Sequence, residues 1–474
     1  MDSTPRDTAA LTERRSRAIA AIAENSSTEP PARGDVPALT DDSPVLGLID
    51  LDEVAAAFAQ LTAAFDPAAT ATTDTTATSD TTVLHAVACK AVPLLPLLRF
   101  FAEAGAGCEV ASPGELELAL SAGFRPETIV FDSPAKTMSE LRRALALGIS
   151  LNADSWEELA RLDELVDDRT TSVIGVRINP QSGVGAIGAM STATQTSKFG
   201  IGIADPGARD AFIEAYLARP WLTQVHVHSG SQGITLDQAA AGIAAAVDLA
   251  REVNARAGAR QVTRIDIGGG LPVNFTSDEV TPTFAAYREV LDAVVPALVE
   301  FDIVTEFGRS LLAKAGTILT RVETAKTTGG RRIAMTHAGV QVATRTAYAP
   351  ADWPLRILPF AVDGAPKRGE AVPTDVAGPA CFAGDLLAEN RELPRLDVGD
   401  LVAVPDTGAY YFANPFSYNL LPRVPVYGYA ARGVPGSAEG EDRLGAGVEF
   451  SLIRRGQTIA EILAEAGESE ISPL

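Results

Sequence analysis

A lysine at the end of an apolar run is the first residue in this sequence that could do chemistry. Lys90 follows residues 83–89, a run typical of a buried strand, and Pro93 comes three positions later. A lysine at the carboxyl end of such a strand can have a lowered pKa, and its amine can then form a Schiff base. Many strands end in lysine by chance, so the prediction depends on what accompanies Lys90.

Three consecutive glycines and an arginine could bind a phosphate. Gly268–Gly270 follow a later strand-like run, and consecutive glycines let backbone N–H groups approach an anion closely. Arg309 follows the next such run, and its guanidinium offers a forked donor to phosphate oxygens. Ser231 could add a hydroxyl. A tight turn would explain the glycines alone, but a glycine turn and an arginine at successive strand ends favour phosphate.

A phosphate site together with a strand-end lysine suggests pyridoxal phosphate. Glu306 could pair with the ring nitrogen of that cofactor and keep it protonated, or it could form a salt bridge to Arg309. His228 could lie flat against the ring, although a single histidine is more often a hydrogen-bonded core residue. His226, two residues earlier, points to the same side of the strand.

These residues lie at the ends of strand-like runs whose order predicts the fold. Eight such runs alternate with helical stretches, at 83–89, 107–111, 128–131, 149–152, 173–178, 223–228, 263–267 and 302–306. Eight strands alternating with helices over roughly 230 residues predict an α/β protein with a (β/α)8 barrel. Its chemistry would lie at the carboxyl ends of the strands. An open doubly wound sheet is the alternative, since sequence cannot prove closure.

The rest of the chain divides into further predicted segments. They are a mobile arm at 1–43 that could include a helix near 8–23, a strand and helix at 44–82 with a flexible insertion at 66–82, the barrel at 83–314, a β-barrel or β-sandwich domain at 315–456, and a helix and tail at 457–474. The apolar run at 43–51 could join the β domain from the N-terminal side.

Composition predicts a soluble cytoplasmic enzyme. The chain has 39 basic and 61 acidic residues, a net charge of −22, which argues against nucleic acid or an anionic membrane as partner. Three cysteines are too few for a disulfide framework and fit a reducing cytoplasm. No stretch reaches the roughly 18 apolar residues of a membrane span, and the first residues do not have the order of a signal peptide.

Nine segments resemble those of the fold-type III, pyridoxal-phosphate-dependent amino acid decarboxylases, the family of diaminopimelate and ornithine decarboxylase. In the family's order they are HAVACKA (85–91), CEVASPGEL (108–116), FDSPAK (131–136), SKFG (197–200), HVHSGSQ (226–232), DIGGG (266–270), EFGR (306–309), GPACFAGD (378–385) and DTGAY (406–410). The resemblance implies an alanine-racemase-like barrel with a C-terminal β domain, pyridoxal 5'-phosphate as cofactor, and decarboxylation of an amino acid at Cα.

The resemblance also implies roles for individual residues. Lys90 would carry the Schiff base, His228 would stack on the ring and Glu306 would pair with the ring nitrogen. The phosphate would be held by Ser231, Gly268, Gly269, Gly270, Arg309 and Tyr410. Cys381 would donate a proton to the carbanion and would reach the partner subunit's active site in a homodimer. A thiol with its usual pKa of about 8.5 is mostly protonated at neutral pH, as a donor requires.

The substrate-contacting positions depart from the family. Phe382 follows Cys381 where both diaminopimelate and ornithine decarboxylases carry an acid that binds the substrate's distal ammonium. Arg345 resembles the family's arginine for a distal carboxylate, but Tyr348 comes one position early. Glu109 also replaces the family's aspartate near the lysine. We therefore expect a substrate other than meso-diaminopimelate, with an acidic, acylated or apolar far end.

Three other functions remain as alternatives. A racemase of the alanine racemase type shares the fold and cofactor, but it needs a second base, and no matching segment supplies a tyrosine for that role. A non-catalytic regulator on the same scaffold tends to lose the lysine or phosphate residues, which are kept here. A metal-dependent barrel hydrolase is disfavoured: the chain has four histidines, and only His226 and His228 have ligand-like spacing. We predict no metal.

Overall fold

The computed structural model describes residues 8–27, 34–66, 81–183, 185–432 and 447–467. Most of the insertion predicted at 66–82 lies outside these ranges, as do parts of the predicted arm and tail. The chain forms two compact units. The barrel unit consists of Ala57–Val273 and Thr281–Leu311, and the β unit consists of the described residues up to Ala56, Asn274–Val280 and the chain from Leu312 onwards.

Strands and helices are numbered in chain order. The strands are β1 (Val45–Asp50), β2 (Val83–Ala88), β3 (Gly107–Val110), β4 (Ile129–Phe131), β5 (Ser150–Ala153), β6 (Ile174–Asn179), β7 (Ile201–Gly202), β8 (Leu222–Val227), β9 (Arg264–Asp266), β10 (Asp302–Thr305), β11 (Gly316–Thr328), β12 (Arg331–Thr336), β13 (Leu358–Phe360), β14 (Ala371–Ala377), β15 (Leu386–Pro394), β16 (Leu401–Pro405), β17 (Val426–Ala431) and β18 (Val448–Arg454). The helices are α1 (Thr8–Ser26), α2 (Leu51–Ala64), α3 (Leu95–Glu103), α4 (Pro113–Ala122), α5 (Met138–Leu147), α6 (Trp156–Asp163), α7 (Ala208–Leu217), α8 (Leu236–Ala257), α9 (Phe284–Val294), α10 (Arg309–Leu312), α11 (Thr344–Tyr348) and α12 (Ile459–Glu465).

The barrel unit contains a closed parallel barrel, which confirms the predicted fold. Strands pair in the order β2, β3, β4, β5, β6, β8, β9, β10, and β10 pairs with β2 to close the ring. All eight predicted strands are present, with each end within one residue of its predicted position. Ala86, Val130 and Val304 pack together from β2, β4 and β10 in a small apolar cluster.

Two barrel helices, α3 and α7, lack the usual start signal of a helix. Helices α4, α5, α6, α8 and α9 each begin after a serine or threonine whose side chain accepts a backbone N–H. In contrast, α3 follows Leu94 and α7 follows Gly207, and neither residue provides a side-chain cap.

The β unit contains a nine-stranded, mostly antiparallel sheet. Strand β1 lies between β11 and β17, antiparallel to the first and parallel to the second. The prediction that the apolar run at 43–51 joins the β domain is therefore confirmed. Among the described residues, no helix combines the length and apolar character needed to cross a membrane.

Helix α1 corrects the prediction of a mobile arm at 1–43. Its apolar residues Ala18, Ile19 and Ile22 are fully buried in the core of the β unit, together with Leu48 of β1. Arg15 adds an ion pair to Asp278, at 2.6 Å. The helix expected near 8–23 is present as α1, but its apolar face packs into the core, so this part of the chain is not a mobile arm.

Candidate active site

The predicted lysine lies at the mouth of the barrel beside a buried acid. Lys90 is in a short 3-10 turn that follows β2, and its Nζ lies 2.6 Å from both carboxylate oxygens of Glu109 on β3. The Glu109 side chain is fully buried, whereas that of Lys90 is 46% exposed. Burial raises the pKa of Glu109, and the charge of Lys90 opposes that increase. The amine is therefore held in place and remains accessible to a ligand.

A chain of charged groups crosses the same mouth. Glu306, directly after β10, lies 3.6 Å from His226 Nε2 through its Oε2. His226 Nδ1 lies 3.3 Å from Asp132 Oδ1, and the other Asp132 oxygen accepts from Arg177 Nη1 at 3.3 Å. Burial raises the pKa of Glu306 well above its usual range, and the neighbouring carboxylates of Asp266 and Asp132 raise it further.

A second buried network fixes the start of the glycine turn. Asp266 at the end of β9 accepts the N–H of Gly268 at 3.0 Å, and it accepts Asn152 Nδ2 at 3.2 Å through its other oxygen. Gln224 Nε2 donates to Asn152 Oδ1 at 2.6 Å. Side chains from three strands thus determine where the turn begins.

The glycine turn itself lies against the end of β10. Glu306 N–H donates to Gly268 O at 2.7 Å, and Gly269 N–H donates to His228 Nδ1 at 3.1 Å. A Cβ on Gly269 would lie 2.3 Å from Glu306 O. Gly270 has a φ of +104° and a Cβ there would lie 2.1 Å from Gly230 O. Only glycine fits these two positions.

His228 is the predicted ring-stacking residue, and it is neutral in this site. Burial lowers its pKa well below the usual range, and the charges of Arg177 and Lys90 lower it further. Arg309 is buried at the start of α10, and Ser231 lies in the loop after β8, where its N–H donates to Met190 O at 3.1 Å. The structure brings Lys90, His228, Glu306 and the three glycines to one end of the barrel.

The predicted proton donor and Phe382 lie in the β unit. Cys381 is exposed, its N–H donates to Asn419 Oδ1 at 2.8 Å, and its carbonyl accepts from the Tyr418 hydroxyl at 3.2 Å. The Phe382 ring stacks on Tyr348 with centroids 5.2 Å apart and an angle of 25°. Tyr418 and Asn419 carried no signal in the sequence, because their contacts to Cys381 depend on the folded loop.

Arg345 is held in the β unit by aromatic rings. Its guanidinium carbon lies 4.5 Å from the ring centroid of Tyr410 and 5.1 Å from that of Trp353. Burial lowers the pKa of Arg345. Its Nη1 is buried without a hydrogen-bond partner among the described residues. A buried guanidinium of this kind can bind an anion.

Comparisons with known proteins agree on one family. The model of the pyridoxal-binding domain of pyridoxal-dependent decarboxylases matches residues 68–313. A diaminopimelate decarboxylase from Pseudomonas fluorescens is 33% identical over 392 residues, which cover 81% of this chain and 85% of the relative. The crystal structure of diaminopimelate decarboxylase from Helicobacter pylori complexed with L-lysine is 25% identical, covers 90% of this chain and 97% of its own, and has a TM-score of 0.72. A lysine/ornithine decarboxylase from Vibrio vulnificus complexed with cadaverine is also 25% identical, with 81% and 94% covered and a TM-score of 0.65.

Proposed function

Because the chain belongs to the pyridoxal-dependent decarboxylases, we propose that Lys90 is the residue that binds pyridoxal 5'-phosphate and that the barrel mouth decarboxylates an amino acid at Cα. The family makes the protein a pyridoxal-phosphate-dependent carboxy-lyase. The observation that carries the assignment of the site is the position of the Lys90 amine, accessible and 2.6 Å from Glu109, at the end of the barrel where Glu306 and the glycine turn also lie.

The residues at the mouth fit this cofactor. Glu306 Oε1 is buried without a hydrogen-bond partner among the described residues, as expected of a carboxylate whose partner is a ligand. Gly270, the last residue of the glycine turn, is half-buried, and the guanidinium of Arg309 follows at the start of α10, so both could contribute to a phosphate site. We further propose that Ser231 and Tyr410 hold the same phosphate, as the family motifs imply.

Each residue has a distinct task in the proposed reaction. Pyridoxal phosphate, when bound, supplies an electron sink for negative charge at Cα. Lys90 Nζ must lose a proton before it can act as a nucleophile, and a Glu109 oxygen is within reach to accept it. His228 is neutral, so it can lie against a ring without adding charge. Cys381 Sγ would return a proton to Cα after carbon dioxide has left.

The proposed substrate has an acidic, acylated or apolar far end. Phe382 stacks on Tyr348 where an acid would bind a distal ammonium, and a phenyl ring gives only a cation–π contact of roughly 0.5–2 kcal/mol in return. Arg345 has a buried Nη1 that could donate a hydrogen bond to an acidic or acyl group of the substrate. The family relatives leave diaminopimelate as the competing substrate.

A panel of amino acids tests the substrate proposal. We expect the purified protein to release carbon dioxide from amino acids with acidic, acylated or apolar side chains, and to act on meso-diaminopimelate at least about 100-fold less efficiently by kcat/KM. The variant Phe382→Glu should improve kcat/KM for diaminopimelate, whereas Phe382→Leu, which removes the ring without adding charge, should not. Ordinary turnover of diaminopimelate by the unaltered protein would refute the proposal.

We also propose that the enzyme is a homodimer with shared active sites. The support is the exposed position of Cys381, since a thiol that acts on another subunit must be accessible from outside its own chain. The family resemblance points to the same arrangement.

A further inference from the structure

His226 bridges two carboxylates inside the barrel mouth. Its side chain is completely buried on β8, and its two ring nitrogens face different acids: Nδ1 lies 3.3 Å from Asp132 and Nε2 lies 3.6 Å from Glu306. Neither contact is a hydrogen bond as it stands, and both nitrogens are buried without another partner among the described residues. Buried polar groups are rarely left in this state, so the imidazole is placed to exchange a proton with its neighbours.

Carboxylates outnumber cations around His226, and this excess of negative charge would stabilise a positively charged imidazole. The titratable and charged groups that act on His226 or on its neighbour Glu306 are Lys90, Glu109, Asp132, Arg177, His228, Asp266 and Glu306. Four of these are carboxylates, and only Arg177 is a permanent cation. Burial and the other carboxylates raise the pKa of Glu306, so this group tends to keep its proton unless another base takes it.

We propose that His226 is a positioning residue that takes up the proton of Glu306 and so leaves Glu306 ionised for the ring nitrogen. The proton leaves Glu306 Oε2 and binds His226 Nε2, while the Nδ1–H of the imidazolium donates to Asp132 Oδ1. Arg177 holds Asp132 ionised from the other side, at 3.3 Å. The inference rests on the proposed role of Glu306 in cofactor binding.

His228 does not fill this role. Its Nδ1 accepts the N–H of Gly269, and burial and the charges of Arg177 and Lys90 lower its pKa well below the usual range. Asp132 is the natural counter-ion for a charged His226. Although burial alone would raise the pKa of Asp132, the charges of His226 and Arg177 bring it below its ordinary value.

Nitrogen NMR of the holoenzyme tests the proposal without any turnover. The chain has four histidines, so selective 15N-histidine labelling gives few signals, and His226→Asn identifies the one that belongs to His226. We expect both nitrogens of His226 to be protonated at neutral pH in the holoenzyme, and one to lose its proton in Glu306→Gln, in which no carboxylate faces Nε2 to stabilise the imidazolium. A neutral His226 in both proteins would overturn the proposal.

Cofactor affinity gives a second readout, measured by titrating the full-length apoprotein with pyridoxal 5'-phosphate across pH. In His226→Asn the proton should stay on Glu306, so the Kd should rise by about tenfold or more at neutral pH and recover as the pH increases. The acidic limb of the kcat profile should move up by about one pH unit. A uniform loss of affinity with an unmoved pH dependence would mean a merely structural role and would contradict the proposal.

His85→Gln is the matched control, because His85 is also a buried barrel histidine, bonded to Thr305 Oγ1 at 2.9 Å. We expect it to leave the pH dependence of the Kd unchanged. The NMR and affinity measurements need no substrate. A negative result would therefore reject the role of His226 without rejecting the proposed decarboxylation. Equally, a protein that releases no carbon dioxide could still show the expected charge on His226.

Discussion

At the scale of single residues, the ion pair between Lys90 and Glu109 fixes the position of the amine at the barrel mouth and places a proton acceptor beside it. Glu109 is fully buried on β3 and contacts Nζ with both oxygens, so it can hold the side chain in position and also accept its proton. The lysine remains half exposed and accessible. Glu109 thus both positions Lys90 and can accept its proton, and a substitution at Glu109 can remove the second role while keeping the first.

Replacing Glu109 by glutamine should keep the position of Lys90 but remove the proton acceptor. We expect kcat to fall by about 100-fold or more, while the visible absorbance of the bound cofactor is retained. Glu109→Asp keeps the charge and should retain much more of the activity. Equal kcat values for the glutamine and unaltered proteins would show that Glu109 is not the acceptor.

Much of this residue set could be predicted from sequence, since polar residues that end parallel strands meet at one mouth. Lys90, Glu306, His228 and the glycines were all found in this way, and the structure places them at one end of the barrel. The bridge from His226 to Asp132 could not be predicted. The two residues lie on distant strands, and contact between particular atoms depends on strand stagger and side-chain direction, which sequence spacing does not give.

At the scale of elements, the glycine turn after β9 depends on close backbone contact with the end of β10. Gly269 packs against the carbonyl of Glu306 so tightly that a methyl group would have no space. The same turn presents the backbone proposed to bind phosphate. Both the shape of the turn and its proposed binding of phosphate therefore require a glycine at position 269.

Gly269→Ala should weaken cofactor binding, because a Cβ 2.3 Å from Glu306 O forces the turn away from β10. We expect the Kd for pyridoxal 5'-phosphate to rise by at least about tenfold, as for a loss of about 1.4 kcal/mol. Gly114→Ala in α4 is the control, since its Cβ would meet nothing nearer than 3.9 Å. Unchanged affinity in Gly269→Ala would contradict the close packing of the turn.

Helix α1 is held to the β unit by apolar burial and by Asp278. This carboxylate contacts Arg15 at 2.6 Å and Arg356 at 2.5 Å. Although burial alone would raise the pKa of Asp278, the charge of Arg15 and the hydrogen bonds from Arg356 and Arg15 lower it below the ordinary value. The stability that this ion pair adds is therefore present above the ordinary aspartate pKa of about 4 and is lost as the pH falls below it.

Asp278→Asn should lower the free energy of unfolding by about 3 kcal/mol at neutral pH, since it removes the counter-ion of the buried Arg15 and leaves Arg356 with Asp406 alone. The difference from the unaltered protein should shrink below about pH 4. Urea denaturation of both proteins at neutral pH and below about pH 4 measures this difference in the free energy of unfolding. Asp163→Asn, in the more exposed pair with Arg219, should cost at most about 1 kcal/mol. A deficit for Asp278→Asn that did not depend on pH would argue against the ion pair.

Element prediction was good where helices have caps and strands are apolar, and poor elsewhere. Strands β14, β15 and β18 have a weaker signal in the sequence, because charged residues interrupt their apolar residues, as in LLAENRELP of β15. Such strands gain stability from backbone pairing with neighbours rather than from a pattern of their own. The β11 to β12 hairpin has a clear local signal, since Gly329 and Gly330, both with positive φ, form the turn between the two paired strands.

At the scale of the whole molecule, the family fold explains why a barrel and a β domain occur in one chain. The barrel unit contains the proposed lysine and glycine turn, and the β unit contains Cys381, Arg345 and Phe382. The family motifs assign the residues of both units to one reaction. Whether they come from one chain or two is a question about assembly.

Mixed dimers test whether each active site takes its residues from one chain or from two. Lys90→Ala and Cys381→Ala homodimers should each be nearly inactive, and subunits exchanged between them should regain up to about a quarter of the unaltered activity when each site draws on both chains. Size-exclusion chromatography with light scattering checks that dimers form. No recovered activity despite verified subunit exchange would indicate that each site is complete within one chain.

Reductive trapping at Lys90 tests the central claim most directly. The protein is incubated with pyridoxal 5'-phosphate, reduced with borohydride, digested and analysed by mass spectrometry. We expect the cofactor adduct on the peptide that contains Lys90, and we expect Lys90→Ala to carry no adduct and to release no carbon dioxide from any amino acid. An adduct on a different lysine, or decarboxylation by Lys90→Ala, would contradict the account.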